Sequence, residues 1–123
     1  MVRPARKLGG RGATKLRSGT GCLVAFTTLP SLSAAKRLAR TLVRERLCAC
    51  VNIVPGVRSI YRWENRLHDE AEVLLVLKTS AAKAALLQSR LLALHPYQVP
   101  ELIAWTAPTV APAYARWLAD TTS

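Results

Sequence analysis

Between Leu47 and Thr79 the chain reads LCACVNIVPGVRSIYRWENRLHDEAEVLLVLKT, and this stretch limits the possible folds more than any other. Two apolar runs, Cys48–Trp63 and Ala71–Lys78, flank a polar segment, Glu64–Glu70. Both runs are rich in Val, Ile, Leu, Tyr and Trp, residues that pack well on a pleated surface, so the pattern predicts a long β-hairpin. The first arm exceeds an ordinary strand of five or six residues. Pro55-Gly56 sits where a bulge or bend would divide it, since proline donates no ladder hydrogen bond and glycine marks kinks.

Alternation along the arms carries the next step. Val73, Leu75 and Leu77 point to one face while Leu74 and Val76 point to the other; on the first arm Ile60 faces one way, and Val57, Tyr61 and Trp63 the other, with Ser59 between them. Neither face of the second arm suits water. Helices of the same chain can cover one face, but a chain of 123 residues has little left for the second. A partner subunit is therefore expected.

In chain order, Cys22–Thr28 (CLVAFTT) reads as a first strand. Pro30 ends it, and Ser31 or Ser33 can cap a helix to about Leu47 with Leu32, Ala35, Leu38, Ala39, Leu42, Val43 and Leu47 on one stripe. The opposite face carries Lys36, Arg37, Arg40 and Arg44, most simply a solvated face. A strand–helix–strand step of this size implies a right-handed crossover joining a parallel pair. After the hairpin, Thr79 or Ser80 can cap a second helix through about Leu94, with Ala84, Leu87, Leu91 and Leu94 inward, and His95-Pro96 ends it. Glu101–Thr106 (ELIAWT) is the fourth strand. Pro112 then opens a short last helix in which Tyr114, Trp117 and Leu118 share a docking face. The order is βαββαβ plus a C-terminal helix, an α+β chain with one domain over residues 21–123.

The formal charge of +11 resembles that of a nucleic-acid binder, but Arg3, Arg6, Lys7, Arg11, Lys15 and Arg17 all precede residue 21 with no acid among them. Residues 1–20, rich in Gly and lacking periodicity, read as a basic mobile tail. A transit peptide would share the Arg-rich, acid-poor composition but needs an amphipathic stripe that is not visible here. No apolar run approaches a membrane span and no signal-peptide core precedes a cleavage site, so a cytoplasmic protein with no membrane partner is expected. Three cysteines without a secretion signal fit a reducing compartment.

Candidate chemistry is sparse. Cys48 and Cys50, two apart on a strand, could chelate a soft metal, although two small buried hydrophobes is the plainer reading. His68 lies in the polar hairpin turn near Asp69, Glu70 and Glu72, a solvated loop or a weak cation site. In HPYQVPE, His95, Tyr97 and Glu101 stand within seven residues of an irregular segment where side chains can converge. No nucleophile–base set and no phosphate-binding loop appears. An RNA-recognition module shares the βαββαβ order, but its third strand needs stacking aromatics and AEVLLVLKT has none.

The block CVNIVPGVRSIYRW together with HPYQVPE resembles the CutA family, named for divalent-cation tolerance, from about Val24 to Leu118. The resemblance implies a ferredoxin-like βαββαβ sandwich assembled as a homotrimer, non-enzymatic, with copper (Cu2+) or another divalent cation as ligand. It implies His95 as a metal ligand at a subunit interface. The other family ligands, a cysteine and a histidine, align with Thr27 and Leu94, so any binding is expected to be weak, with Glu101 and Cys50 as the further donors. The first alternative is a trimeric module holding a small molecule in inter-subunit clefts lined by Tyr61, Trp63, Lys78, His95, Tyr97 and Glu101. A second is nonspecific nucleic-acid binding through residues 1–20.

Overall fold

The computed structural model describes residues 21–123; the expectations for residues 1–20 lie outside them. Four strands, β1 (Cys22–Leu29), β2 (Cys50–Trp63), β3 (Arg66–Ser80) and β4 (Ile103–Thr106), form one antiparallel sheet in the order β2-β3-β1-β4. Three α-helices, α1 (Leu32–Arg44), α2 (Ala84–Leu94) and α3 (Pro112–Thr121), complete the described residues, with a short 3-10 turn at Ala81–Lys83 before α2.

The expected parallel pair is not formed. β1 and β2 both run antiparallel to β3, which lies between them. The α1 crossover thus joins two parallel strands that are not neighbours. β3 takes the inner position because it is apolar on both faces at its C-terminal half, and an edge position would leave that surface in water.

The hairpin is longer and its turn tighter than the composition suggested. Trp63 pairs directly with Arg66, so the loop is only Glu64-Asn65, and both residues have positive φ, +52° and +63°, as a two-residue type I′ turn requires. The expected polar connection Arg66–Glu70, with His68, is strand. The bend falls where Pro55-Gly56 placed it: between Val54 and Val57 three residues of β2 advance against two of β3, and Gly56 takes φ +81°. This bulge keeps Val54 and Val57 on one face although they are three residues apart.

One face of the sheet meets α1 and α2. Ala25, Leu29, Val73, Leu75 and Leu77 from the strands pack with Ala35, Leu38 and Leu42 of α1 and Leu87 and Leu91 of α2, all buried. Each fully buried leucine of this layer contributes roughly 1.5–3 kcal/mol over exposure. Ser31 caps α1, its hydroxyl accepting the Ala34 N–H at 3.1 Å. The helix stops at Arg44, before the expected Leu47, because Arg46 turns left-handed (φ +60°) and the Arg46 and Leu47 N–H groups bond back to the Val43 and Leu42 carbonyls. That is the Schellman ending, with Arg46 where glycine is usual. Leu32, Val43 and Leu94, expected inward, are exposed. Ser80, not Thr79, caps the 3-10 turn before α2, without a side-chain bond.

α3 begins at Pro112 as expected, and Leu118 packs with Cys22 and Ala49. Thr122 Oγ1 lies 3.0 Å from Ser80 Oγ, and Arg46 donates to the Thr121 carbonyl at 3.1 Å, fixing the helix end to the body. Tyr114 and Trp117 do not share that docking: both are exposed and tilt against each other, centroids 5.4 Å apart. No helix among the described residues is long and apolar enough to cross a membrane.

The sheet's other face is uncovered by α1 and α2. By register it carries Val24 and Phe26 of β1, Leu74 and Val76 of β3, Val54 of β2, and Ile103 and Trp105 of β4. Val54, Ile103 and Trp105 are exposed, and Trp105 meets Phe26 edge to face at 5.0 Å.

Candidate functional site

Past the bulge, the same open face continues as a row of polar and aromatic side chains. Glu72 stands opposite Val57, Glu70 opposite Ser59, His68 opposite Tyr61 and Arg66 opposite Trp63. Tyr61 donates to Glu70 Oε1 at 2.6 Å and stacks nearly flat on His68, rings 5.1 Å apart and 10° from parallel. Receiving this bond on a carboxylate pushes the Tyr61 phenol up to about 12. His68 Nε2 lies 3.3 Å from the Trp63 carbonyl.

The loop after α2 closes the row from the other side. Tyr97 donates to Glu72 Oε2 at 2.5 Å, and its phenol is raised by burial first and by that bond second. Glu72 itself is only 4% exposed. A carboxylate this deep needs a charge-assisted partner, and the Tyr97 hydroxyl supplies it. Two phenol–carboxylate pairs therefore sit two residues apart on β3. Glu101, half-buried, is raised by desolvation and then by the charge of Glu72.

His95 is buried, with both ring nitrogens engaged. Nε2 lies 2.8 Å from the Thr28 carbonyl, and Nδ1 accepts the Tyr97 N–H at 3.1 Å. These partners assign the tautomer: Nε2 carries the proton and Nδ1 is the acceptor. Burial lowers its pKa, an effect that outweighs the Thr28 bond and the Glu72 charge, which raise it. The ring also lies 4.9 Å from that of Tyr97. In this arrangement His95 locks the loop that carries Tyr97, and no ring nitrogen has a free lone pair for a metal.

The remaining sequence candidates lie elsewhere. Cys50 pairs with Lys78, six residues along β3 from Glu72, a separation of roughly 20 Å at strand rise. There Lys78 donates to Asn52 Oδ1 and lies 3.9 Å from Cys50 Sγ. Cys50 and Lys78 are thus remote from His95, Tyr97 and Glu101 within one chain. Cys48 precedes the strand and belongs to the helix-side core, where burial, with Cys50 nearby, pushes its thiol up to about 12. Thr27 faces that same core, fully buried, and its hydroxyl has no hydrogen-bond partner among the described residues. No group of three or more His, Cys, Asp or Glu side chains is placed to hold a metal among the described residues. One chain by itself does not fit a copper ion.

Sequence reasoning placed Glu72 in the second arm and named it only as a neighbour of His68, in a solvated loop or weak cation site, without its burial or its bond to Tyr97. The signal that could have found it is parity: Glu72 shares a face with Leu74 and Val76, so a buried environment extends to it along the strand.

The arrangement offers carboxylates and phenols beside an apolar sheet face, which suits cation contact and self-association and contains no nucleophile poised beside a base. Residues 23–121 match the CutA1 divalent ion tolerance protein family. The chain is 44% identical over 99 residues to the divalent-cation tolerance protein CutA of Thermus thermophilus, spanning 80% of this chain and 96% of that one. It is 40% identical over 100 residues to the chloroplastic protein CutA of Arabidopsis thaliana, 81% of this chain but 55% of that longer one. Among solved structures, CutA from Xylella fastidiosa superposes with TM-score 0.82 at 38% identity, covering 85% of this chain and all of that one. CutA1 from Oryza sativa gives TM-score 0.82 at 39% identity, covering 86% and 97%. With the family pattern spanning sheet, helices and the His95–Glu101 loop alike, the chain belongs to the CutA1 family of divalent-cation tolerance proteins.

Proposed function

We propose that the chain acts as a non-enzymatic homotrimer whose open sheet face forms the interface, with weak divalent-cation binding at the Glu72–Glu101 end of that face. The observation that carries the reading is the continuity of uncovered apolar surface, Phe26, Leu74, Val76, Ile103 and Trp105, with the carboxylate row Glu70, Glu72 and Glu101. An interface through this face encloses those carboxylates between copies. Burial and the charge of Glu72 disfavour the ionised Glu101 carboxylate, and a divalent cation enclosed beside it offsets both.

A single chain lacks the donors for tetragonal Cu(II), so a tight site draws ligands from more than one copy. Cys50 at the far end of the face contributes only if a second copy brings it to the carboxylates. The odd count of three cysteines supports a reducing, intracellular setting for this function. Light scattering at micromolar concentration together with calorimetric titration of Cu(II) and Zn(II) tests the proposal. A trimer with weak heats that disappear in Glu101→Gln, at unchanged mass, is the expected result. A monomer, or cation binding indifferent to both Glu101→Gln and Glu72→Gln, overturns it.

A further inference from the structure

α1 carries a feature that neither the core nor the proposed interface uses. Lys36, Arg40 and Arg44 recur every four residues, so they stand one above the next, and Arg37 lies beside them; all four are exposed. None makes an ion pair among the described residues: the two present are Arg58–Asp69 and Arg90–Glu45. The helix has no acid in its first turn, and Glu45, immediately beyond its end, is held by Arg90 through two bonds of 2.8 Å. A groove of about 410 Å³ runs along the stripe, lined by Ser33, Lys36, Arg37, Arg40, Thr41 and Arg44.

This arrangement works against the helix that bears it. Like charges four apart destabilise a helix by about 0.2–0.5 kcal/mol per pair, and only Arg44, in the last turn, gains from the macrodipole. A face needed only for solvation would mix signs. The stripe lies on the side of α1 away from the sheet, so association through the open sheet face leaves it accessible. Residues 1–20, with six cations in their sequence, enter at Gly21, the end of the sheet at which α1 finishes. From Lys36 to Arg44 the helix rises about 12 Å. At about 3.4 Å of duplex axis per phosphate of one strand, that length faces three or four phosphates.

We propose that the outer face of α1 is a docking surface for the phosphate backbone of a nucleic acid, read without sequence preference. Lys36, Arg37, Arg40 and Arg44 supply the charge, and the Ser33 and Thr41 hydroxyls border the same groove. The stripe carries no aromatic residue, which distinguishes it from a helix that anchors in a lipid surface.

Fluorescence anisotropy of a labelled DNA duplex of about 20 base pairs, titrated with the full chain between about 50 and 200 mM salt, measures both affinity and its salt slope. Two variants with equal charge loss are compared, one with Lys36, Arg37, Arg40 and Arg44 changed to Gln, the other with Arg3, Arg6, Lys7 and Arg11 changed to Gln. The helix variant is expected to lower the logarithmic salt slope by about 3, at 0.9 per lost phosphate contact, and to weaken binding at low salt by at least on the order of tenfold, with its melting temperature retained. Unchanged slope in the helix variant, or an equal or larger loss in the tail variant, overturns the proposal. If the fourfold variant does not fold, Arg40→Glu alone is expected to reduce the slope by about 1 or more, and no change refutes it. Sedimentation with vesicles of phosphatidylserine and phosphatidylcholine provides the other arm. Loss of vesicle binding in the helix variant while duplex binding persists would assign the face to membranes and sink the nucleic-acid reading.

Discussion

Replacing Trp105 by Asp separates folding from assembly. Trp105 lies on the edge strand β4, against Phe26, and is 44% exposed. A tryptophan presents about 250 Å² in all, so roughly 110 Å² of it is left to be covered by another copy. At about 25 cal/mol per Å², that area contributes about 3 kcal/mol per subunit to association as an upper estimate. Aspartate removes this term and adds the cost of burying an unpaired charge, several kcal/mol more. The monomer, by contrast, loses chiefly one edge-to-face contact, about 0.5–1.5 kcal/mol. Trp105→Asp is therefore expected to yield a folded monomer, with far-ultraviolet circular dichroism retained and mass by light scattering reduced from that of the wild-type oligomer. A wild-type chain that is monomeric at micromolar concentration, or a mutant that keeps its full oligomeric mass, would refute the reasoning that this face is covered by copies of the chain.

Three further outcomes follow from the site and the hairpin. Tyr97→Phe leaves the Glu72 carboxylate without its hydroxyl donor and should cost about 1.5–3 kcal/mol in urea unfolding, whereas Tyr61→Phe, at the exposed pair with Glu70, should cost less. His95 is held neutral in the folded chain below its ordinary 6.5, so the unfolded chain binds the proton first; its contribution is full above about 6.5 and falls as pH drops, a loss that His95→Gln should remove from a pH series of melting temperatures. Gly56→Ala meets no atom within 4 Å but forces an L side chain to φ +81°, and an unfolding titration should register about 1–2 kcal/mol of destabilisation from backbone strain alone.

What could be read from the sequence divides along a physical line. Ser31 as a helix cap, Pro112 as a helix start and Pro55-Gly56 as a bend are local decisions, made by a side chain within three or four residues of its partner or by a fixed φ, and all three hold in the structure. The segment Arg66–Glu70 was opaque because its residues have low strand preference; it is strand only because β2 lies alongside it in register, and the Glu64-Asn65 turn sets that register. The role of His95 was opaque for a different reason. Its partners are the Thr28 carbonyl, sixty-seven residues away, and the Tyr97 N–H, and backbone groups leave no trace in a sequence.

The strand order was open to inference from burial on both faces. Of the four strands, CLVAFTTL and EVLLVLKT carry the longest consecutive apolar runs, and a strand apolar on both sides belongs in a sheet interior, where neighbours flank it and layers cover it. That criterion puts β1 and β3 at the centre and β2 and β4 at the edges, which the order β2-β3-β1-β4 satisfies. Because the hairpin gives the edge strand β2 its one neighbour, β3, β1 cannot also lie beside β2, whatever the handedness of the crossover. The same criterion then applies one level up. Leu74, Val76, Phe26 and Trp105 give the sheet a second apolar face that no helix among the described residues lies over as α1 and α2 lie over the first, and the proposed association would do for the whole sheet what β1 and β2 do for β3.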